Sequence, residues 1–588
     1  MCGIIGIVGE KKNLYDLKTE SMLYSLRKRG PDDKGVISFP VCTLGQTRLS
    51  ILDLSGGHQP MKDNTKNIAI TFNGEIYNYK ELKKNLEEKG HRFSTRSDTE
   101  VILKTYIEYG AECIKYLEGM FAFAIWDEDK KNLFAARDRF GEKPFYYSFD
   151  NNNNFVFASE IKTLFASGEI RGKINFAAID SYLSLMYIPP NKTVYQNIDT
   201  PPPACLLVLK EGRLEVKKYW ELKKDTIDIS YIEAKECIKN LLERSVKKMM
   251  VADVEAGTFL SGGVDSTLIT YFAQKNSSFP IKTFSVGYEH YINELPYAEE
   301  ASKRIGTDHY TLQAKGNMFE ELNGVFNYLD EPHADSSILA QSLISNLASS
   351  KVKVALTGDG ADELFFGYGW YTNQWNLSWK KDFFEKLWPR PFKKYLESTQ
   401  VFNLAERKKM WKNKYFEYDY VPHNIRLADI DPTDKINLYD LTFYLPGQLL
   451  SKIDRIAMMN SLETRCPFLD RELAEFVYNL PLEFKVSKNS WKIILKDVLS
   501  DIMPKEFVYR RKQGFCAPIK KWLEEPAFKK DITEIFIKNN PFIYSFFDDV
   551  LIKKLILDFF KNNSSNYYKI WVLYCLELWF KNHEKYHA

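Results

Sequence analysis

The sequence predicts a chain of mixed α/β and α+β class folded as two domains, a β-rich N-terminal unit with helices and a second unit built on a doubly wound parallel sheet. Three observations predict it. Apolar runs of strand length recur at residues 4–8, 68–72 and 121–126, each with turn-forming flanks. From residue 231 the pattern changes to helical spacing alternating with short apolar runs at 256–260, 282–286 and 352–357, as strands joined by crossover helices require. Between the two lie Pro201, Pro202 and Pro203 and a polar stretch through Asp228, which interrupt both patterns. The expected domains are residues 2–210 and 231–588, with 211–230 as a connecting segment.

Residues 78–89 space their apolar side chains as a helix does and stop at Gly90, a residue suited to the turn that ends a helix. Ser97 and Glu100 stand three apart before the apolar Val101, the pattern of a capping box. The asparagine tract at 151–154 predicts a hairpin turn, and a strand is expected to end at Tyr219 and Trp220. Residues 266–274 have helical spacing directly after the run at 256–260, and beyond residue 375 the chain is helix-dominated and aromatic.

With 588 residues, 45% of them hydrophobic and 27% charged, the chain has material for more than one core and is too apolar to be disordered. Its 81 basic residues are nearly balanced by 78 acidic ones, which gives no electrostatic reason to expect nucleic acid as a partner. No apolar stretch reaches the roughly 20 residues that span a bilayer, and no basic segment followed by an apolar one opens the chain. The cysteines show neither zinc-like spacing nor a disulfide framework. Together these features predict a cytoplasmic protein acting on small molecules, with no membrane or nucleic-acid partner, and they leave a homodimer open.

Chemistry enters at Cys2. Removal of Met1 would make it N-terminal, so that one residue carries a thiol and a free α-amine able to accept the thiol's proton. Alone, such a cysteine is an incidental thiol; a second motif changes its weight. Leu260-Ser261-Gly262-Gly263-Val264-Asp265-Ser266 joins a predicted strand to a predicted helix. Glycines let the backbone approach a ligand, and the N–H groups of a helix N-terminus attract anions, so the segment is suited to a phosphate or pyrophosphate. It is not a Walker loop, whose spacing it lacks. A further loop, Thr357-Gly358-Asp359-Gly360-Ala361-Asp362-Glu363, follows another predicted strand, and ligands of doubly wound sheets gather at the strands' carboxyl ends. Its acids would repel one another unless a cation lay near. Mg2+ bound with ATP supplies one, and Asp265 and Asp362 are its expected ligands.

Over essentially its whole length the chain resembles the glutamine-hydrolysing asparagine synthetases of the bacterial B type. Its first half is similar to class II glutamine amidotransferases through Met1-Cys2-Gly3-Ile4, Arg29-Gly30-Pro31-Asp32, Arg48-Leu49-Ser50-Ile51, Asn73-Gly74-Glu75-Ile76-Tyr77-Asn78 and Ser97-Asp98. The second half resembles an ATP-pyrophosphatase-type synthetase through the two loops, through Ser461-Leu462-Glu463-Thr464-Arg465-Cys466-Pro467-Phe468-Leu469-Asp470 and through Lys512-Gln513-Gly514-Phe515. The resemblance implies an αββα sandwich of the Ntn-hydrolase type in the first domain and a helical C-terminal extension on the second.

The resemblance also implies residue roles. Cys2 would attack the glutamine carboxamide, with Asn73 and Gly74 donating to the oxyanion. Arg48, Leu49, Ile51, Glu75 and Asp98 would hold the glutamine, the Arg48 fork suiting its α-carboxylate. Asp98 also sits at a helix start, and the two roles can coexist. Leu260, Val286 and Gly358 would border the adenosine of ATP, with Ser261, Gly262, Gly263, Asp265, Ser266 and Thr357 completing the nucleotide site. Asp359 would serve the formation or use of an acyl-adenylate and Lys492 would offset its charge, although by spacing alone Lys492 reads as a solvated helix lysine. His333 reads as a local structural residue.

The implied reaction hydrolyses glutamine to glutamate and ammonia at Cys2, adenylates a carboxylate with release of pyrophosphate, and lets ammonia, carried inside the protein, displace AMP. Aspartate is the expected acceptor. A rival keeps the chemistry and amidates another carboxylate, such as a uronic acid of a surface polysaccharide; a rival of another class is a non-catalytic binding protein. Three positions depart from the family pattern. Ala361 and Phe366 replace glycines, Phe366 being expected to narrow the substrate pocket or change a turn, and residues 200–205 lack a usual glycine.

Overall fold

Strands β1 (Cys2–Val8), β2 (Asp33–Ser38), β3 (Cys42–Arg48), β4 (Met61–Asp63), β5 (Ile68–Ile76), β6 (Gly119–Asp127), β7 (Asn132–Arg137), β8 (Tyr146–Phe149), β9 (Phe155–Ala158), β10 (Cys205–Lys210) and β11 (Arg213–Lys218) form two antiparallel sheets, ordered β2-β3-β1-β9-β8 and β11-β10-β7-β6-β5-β4. The architecture comes from a computed structural model, which describes all residues except 12, 14–17, 64, 289–293, 315–317, 370, 372–389, 414–419, 488, 511–516, 563–565 and 587–588. The Lys512-Gln513-Gly514-Phe515 motif lies outside the described residues.

Burial on both faces explains why the central strands β1 and β6 are continuous apolar runs. In β1, Ile4 and Val8 pack between the sheets with Ala69, Ala122 and Trp126, while Ile5 and Ile7 pack outward with Met22, Leu23, Ile161 and Leu164 of helices Thr19–Ser25 and Ile161–Ala166. In β6, Ala122, Ala124 and Trp126 face inward and Phe121, Phe123 and Ile125 face helices Tyr79–Glu88 and Asp98–Tyr109. The two-residue period of a strand thus serves two cores, giving an αββα layering.

Two local expectations need correction. Ser97 caps its helix by accepting the Thr99 N–H at 3.2 Å, but Glu100 takes the N–H groups of Ser94 and Thr95, at 3.0 and 2.7 Å, instead of reaching back to Ser97. The preceding loop offers nearer donors, so the capping box stays half-formed. Residues 211–230 do not begin as a connection: β11 pairs along β10, and the first unit's sheet runs to Lys218. The asparagine tract does form the turn between β8 and β9, with Asp150 accepting the N–H groups of Asn152 and Asn154.

In the second unit β12 (Ala256–Phe259), β13 (Lys282–Tyr288), β14 (Asp308–Ala314), β15 (Val354–Leu356) and β16 (Glu463–Arg465) form a parallel sheet ordered β14-β13-β12-β15-β16. Helices cover both faces. Tyr231–Met249 and Val264–Lys275 pack with Val354 and Leu356, while Met318–Tyr328 and Ile338–Ser349 pack with Phe284 and Ala355. The chain moves outward from β12 to β14 and then returns to the other flank of β12 as β15. The loops after β12 and β15 therefore leave the sheet side by side, at its topological switch point. Among the described residues no helix is long and apolar enough to cross a membrane, and no disulfide joins any of the cysteines.

Candidate active sites

Cys2 opens β1 opposite Arg48, the last residue of β3. Its backbone N–H donates to Asn73 Oδ1 at 2.9 Å, and the other end of that amide, Asn73 Nδ2, is buried without a hydrogen-bond partner. Gly74 has φ +149°, and a Cβ there would lie 2.0 Å from the Met120 carbonyl oxygen, so only glycine fits. Asp98 accepts the Ile76 N–H at 3.0 Å, and burial pushes its carboxyl up to about 6. Glu75 stands 3.3 Å from Arg465; burial pushes it well above the usual carboxylate range against the pull of that guanidinium. Burial also pushes the Cys2 thiol up, while the chain's terminal ammonium, the Leu49 N–H and Arg48 pull it down. The Leu49 N–H is held by the Met1 carbonyl at 3.1 Å, and Leu49, Ile51 and Met1 belong to one buried cluster. Arg48 differs from expectation. Its terminal nitrogens donate to the carbonyls of Leu52, Asp53 and Leu54, at 2.9, 2.8 and 3.3 Å, so the fork shapes the loop beside Cys2.

At the second site, Gly262 has φ +72°, and a Cβ would lie 2.6 Å from the Tyr297 backbone. Gly263 caps helix Val264–Lys275. Ser261 and Ser266 brace the loop through their hydroxyls, 3.0 Å apart, with the Gly263 N–H donating to Ser261 Oγ at 3.2 Å. Leu260 is tied to β13 by its N–H on the Phe284 carbonyl at 2.9 Å, and Val286 lies buried on the same strand. The two loops touch: a Cβ on Gly358 would lie 2.9 Å from Asp265 Cβ. Thr357 is anchored by its N–H on the Arg465 carbonyl at 2.9 Å. Burial raises the Asp359 carboxyl, opposed by a Thr357 hydrogen bond and the Lys452 charge. Lys492 is buried and bridges the loops, its Nζ 2.5 Å from Asp265 Oδ2 and 2.5 Å from Asp362 Oδ1. It is no solvated helix lysine: it stands just before helix Ile493–Ser500, at φ +53°. His333 is buried, with one ring nitrogen on the Gln448 carbonyl at 3.0 Å and the other on the Asp335 N–H at 3.3 Å, which leaves the ring a structural part.

A family model described as asparagine synthase matches residues 237–581, and one described as a glutamine amidotransferase domain matches residues 1–220. Asparagine synthetase (glutamine-hydrolyzing) 3 of Bacillus subtilis (strain 168) is 32% identical over 566 residues, covering 91% of this chain and 89% of the relative. Asparagine synthetase (glutamine-hydrolyzing) 1 of the same organism is 31% identical over 623 residues, covering 98% and 96%. The chain belongs to the asparagine synthase family. The match to a plant relative, asparagine synthetase (glutamine-hydrolyzing) 3 of Arabidopsis thaliana, is 27% identical and covers 92% of this chain and 84% of the relative.

In this asparagine synthase chain the two sites are joined by residues to which sequence reasoning gave no role. Arg29, fully buried, donates from Nε to the Cys2 carbonyl at 3.0 Å and from Nη1 and Nη2 to Asp454 at 2.8 and 3.2 Å. Glu463 lies 2.8 Å from the Met1 ammonium and its Oε1 accepts from Arg465 Nε at 2.7 Å, so β16 reaches the Cys2 site from the other domain. A signal existed in the segment 449–458, where Lys452, Asp454 and Arg455 interrupt an otherwise apolar helix and all three are buried. Buried charges must be paired, and in this helix Asp454 pairs across the domain junction with Arg29 and Arg455 reaches Tyr146 there, while Lys452 and Arg455 also pair with Asp335 and Glu331 of their own unit.

Proposed function

We propose that the chain is a glutamine-dependent asparagine synthetase, an ATP-dependent carbon–nitrogen ligase acting on free small molecules in the cytoplasm. The observation that carries this reading is the pairing, in one chain, of a nucleophile beside a spare buried amide donor with two loops meeting at the switch point of a parallel sheet. With Met1 removed, the Cys2 amine takes the thiol proton and sulfur attacks the carboxamide carbon of glutamine. Asn73 Nδ2 and the Gly74 N–H hold the oxyanion, the proton passes to the leaving nitrogen, and water frees glutamate from the thioester. Glu75 and Asp98, pushed up by burial, are returned to their ionised forms by the α-ammonium of bound glutamine, while Arg48, Leu49 and Ile51 flank its carboxylate end.

At the second site Leu260, Val286 and Gly358 border the adenosine, and Ser261, Gly262, Gly263, Ser266 and Thr357 hold the phosphates. The carboxylates of Asp265 and Asp362 converge on Lys492 Nζ, and the same two carboxylates would hold a divalent ion brought with ATP. Mg2+ held by Asp265 and Asp362 would supply positive charge against the departing pyrophosphate. The side-chain carboxylate of aspartate attacks the α-phosphorus and pyrophosphate leaves. Lys492 stays against the charged groups, and Asp359 takes a proton as ammonia attacks the acyl carbon and AMP departs. The test is mass spectrometry of products from methionine-processed protein with Mg-ATP, amide-labelled glutamine and aspartate. Labelled asparagine with equal AMP is the expected result, and glutamate formed without asparagine or AMP would overturn it.

A further inference from the structure

The loop that leaves β3, residues 49–57, carries Leu49 and Ile51 past Cys2 and is wrapped around the Arg48 fork, which donates to the carbonyls of Leu52, Asp53 and Leu54. Its turn passes through Asp53, at φ +46°, whose carboxylate accepts the N–H groups of Gly56 and Arg96 at 3.1 and 2.8 Å. A residue of the second unit also holds this loop. The Asp253 N–H donates to the Ile51 carbonyl at 2.9 Å, and Asp253 Oδ2 accepts the Asp53 N–H at 2.8 Å. Asp253 stands between helix Tyr231–Met249 and β12, the strand that leads into the Leu260–Ser266 loop. Its own segment is fixed in turn: Arg465 Nη1 donates to the carbonyls of Met249 and Val251 at 2.7 and 2.8 Å.

Two events in the working enzyme strip holds from the loop. Removal of Met1 takes away the carbonyl that receives the Leu49 N–H. A glutamine α-carboxylate that engages the Arg48 fork draws its donors from the carbonyls of Leu52, Asp53 and Leu54. The Arg96 N–H then still holds the Asp53 side chain, and the bonds to Asp253 hold the backbone of Ile51 and Asp53. The bond from the Asp53 N–H ends on a carboxylate and is charge-assisted, and it fixes a residue in a conformation that side chains disfavour. Without that acceptor the N–H is left unpaired and the turn is free to relax. We propose that Asp253 is a positioning residue of the glutamine site, supplied by the second unit, which holds Ile51 and Asp53 in place while Arg48 exchanges the loop's carbonyls for the substrate's carboxylate. The inference rests on the glutamine-dependent reading above and deepens it, since the glutamine site is then complete only with the second unit docked on the first.

The test compares glutamine with ammonium as nitrogen source for the full-length, methionine-processed enzyme. Asp253→Ala keeps the N–H on Ile51 and removes the acceptor of the Asp53 N–H. It should raise the KM for glutamine about 5- to 50-fold and leave kcat for glutamate release within about threefold of wild type, because Cys2, Asn73 and Gly74 are untouched. With ammonium in place of glutamine, the rate of AMP formation and the KM values for ammonium and ATP should stay within about twofold. Asp253→Asn, whose amide oxygen accepts the same N–H, should keep the glutamine KM within about threefold of wild type. An unchanged glutamine KM in Asp253→Ala, an equal loss with both nitrogen sources, a fall confined to kcat, or Asp253→Asn as impaired as Asp253→Ala would each overturn the assignment. If Asp253→Ala fails to fold, Asp253→Glu decides, because it keeps the charge and displaces the acceptor by one methylene. A glutamine KM raised at least about threefold with ammonium use unchanged supports the role, and an unchanged KM overturns it. Absence of glutamate release from glutamine in the wild type is a different result, which overturns the glutamine-dependent reading and the positioning role with it.

Discussion

Asp98 carries a cost of burial that the fold sustains. Its folded-state pKa of about 6 lies roughly 2 units above the ordinary value near 3.9. The folded protein therefore binds the extra proton between those values, and stability falls as pH rises through that window, reaching its full cost of about 3 kcal/mol by neutrality. Asp98→Asn should stabilise the protein toward denaturant by up to about 3 kcal/mol at pH 7 and by almost nothing near pH 4. It should also raise the KM for glutamine, because the substrate's ammonium loses a counter-charge. An equal stability change at both pH values would reject desolvation as the cause. Cys2→Ala should abolish glutamine-dependent synthesis and spare synthesis from ammonium, since only the first nucleophile is lost; comparing the two nitrogen sources in one assay checks this. Cys2, Asn73 and Gly74 were singled out through the short motifs of the family resemblance, and the fold sets the Cys2 N–H on Asn73 Oδ1. Arg29 and Lys452 were not assigned partners, because their carboxylates lie 425 and 117 positions away.

The central elements were legible wherever an unbroken apolar run of strand length meets two-sided burial, as in β1, β5, β6, β12, β13 and β15, whereas β14 and β16, Asp308–Ala314 and Glu463–Arg465, carry no such run and were not read. The π-helix Asp440–Leu450 was not legible either, since no residue pattern separates it from an α-helix and its winding depends on what it packs against. Turn chemistry misled in an instructive way. Phe366, expected to narrow the substrate pocket or change a turn, holds φ +56°, and Ala204, within the segment 200–205 that lacks the usual glycine, holds φ +58°, so both keep the region glycine favours. At Phe366 the ring explains the tolerance. It is fully buried in an aromatic cluster, edge-on to Tyr371 at 5.0 Å, with Lys485 Nζ 5.3 Å from its centroid. A left-handed non-glycine residue costs about 1–2 kcal/mol, whereas emptying a phenylalanine site costs about 3–5. Phe366→Gly should therefore destabilise by about 1–4 kcal/mol despite relieving the backbone, as urea unfolding of variant and wild type would show. A more stable variant would mean that backbone strain outweighs ring packing.

Across the whole molecule, one helix serves both sites. Ser451–Met459 carries Lys452 toward the acidic loop, Asp454 to Arg29 and the Cys2 carbonyl, and Arg455 to Glu331, 2.5 Å away. Burial alone would raise Asp454, but Arg29 and Lys143 overcome it and hold the carboxylate below its ordinary range. Its contribution is accordingly full above the unfolded value and is lost only as pH falls through the lower folded one, so it does not vary between pH 5 and 8. Asp454→Ala strands a buried guanidinium whose remaining carboxylate, Glu160, stands 3.4 Å away. The expected loss is about 3 kcal/mol, the low end for a broken buried pair, and it should be equal at pH 5 and 8. Because Arg29 also holds the backbone of Cys2, the same variant should release more glutamate per asparagine formed. Arg29→Met with Asp454→Leu should regain most of the stability, since an apolar pair leaves no buried charge behind. It should not regain the coupling, since no side chain then links helix Ser451–Met459 to the Cys2 carbonyl. Glutamate and asparagine yields measured together on the single and double variants decide this: a one-to-one ratio in the double variant would make the Arg29 bridge an adhesive between domains and nothing more.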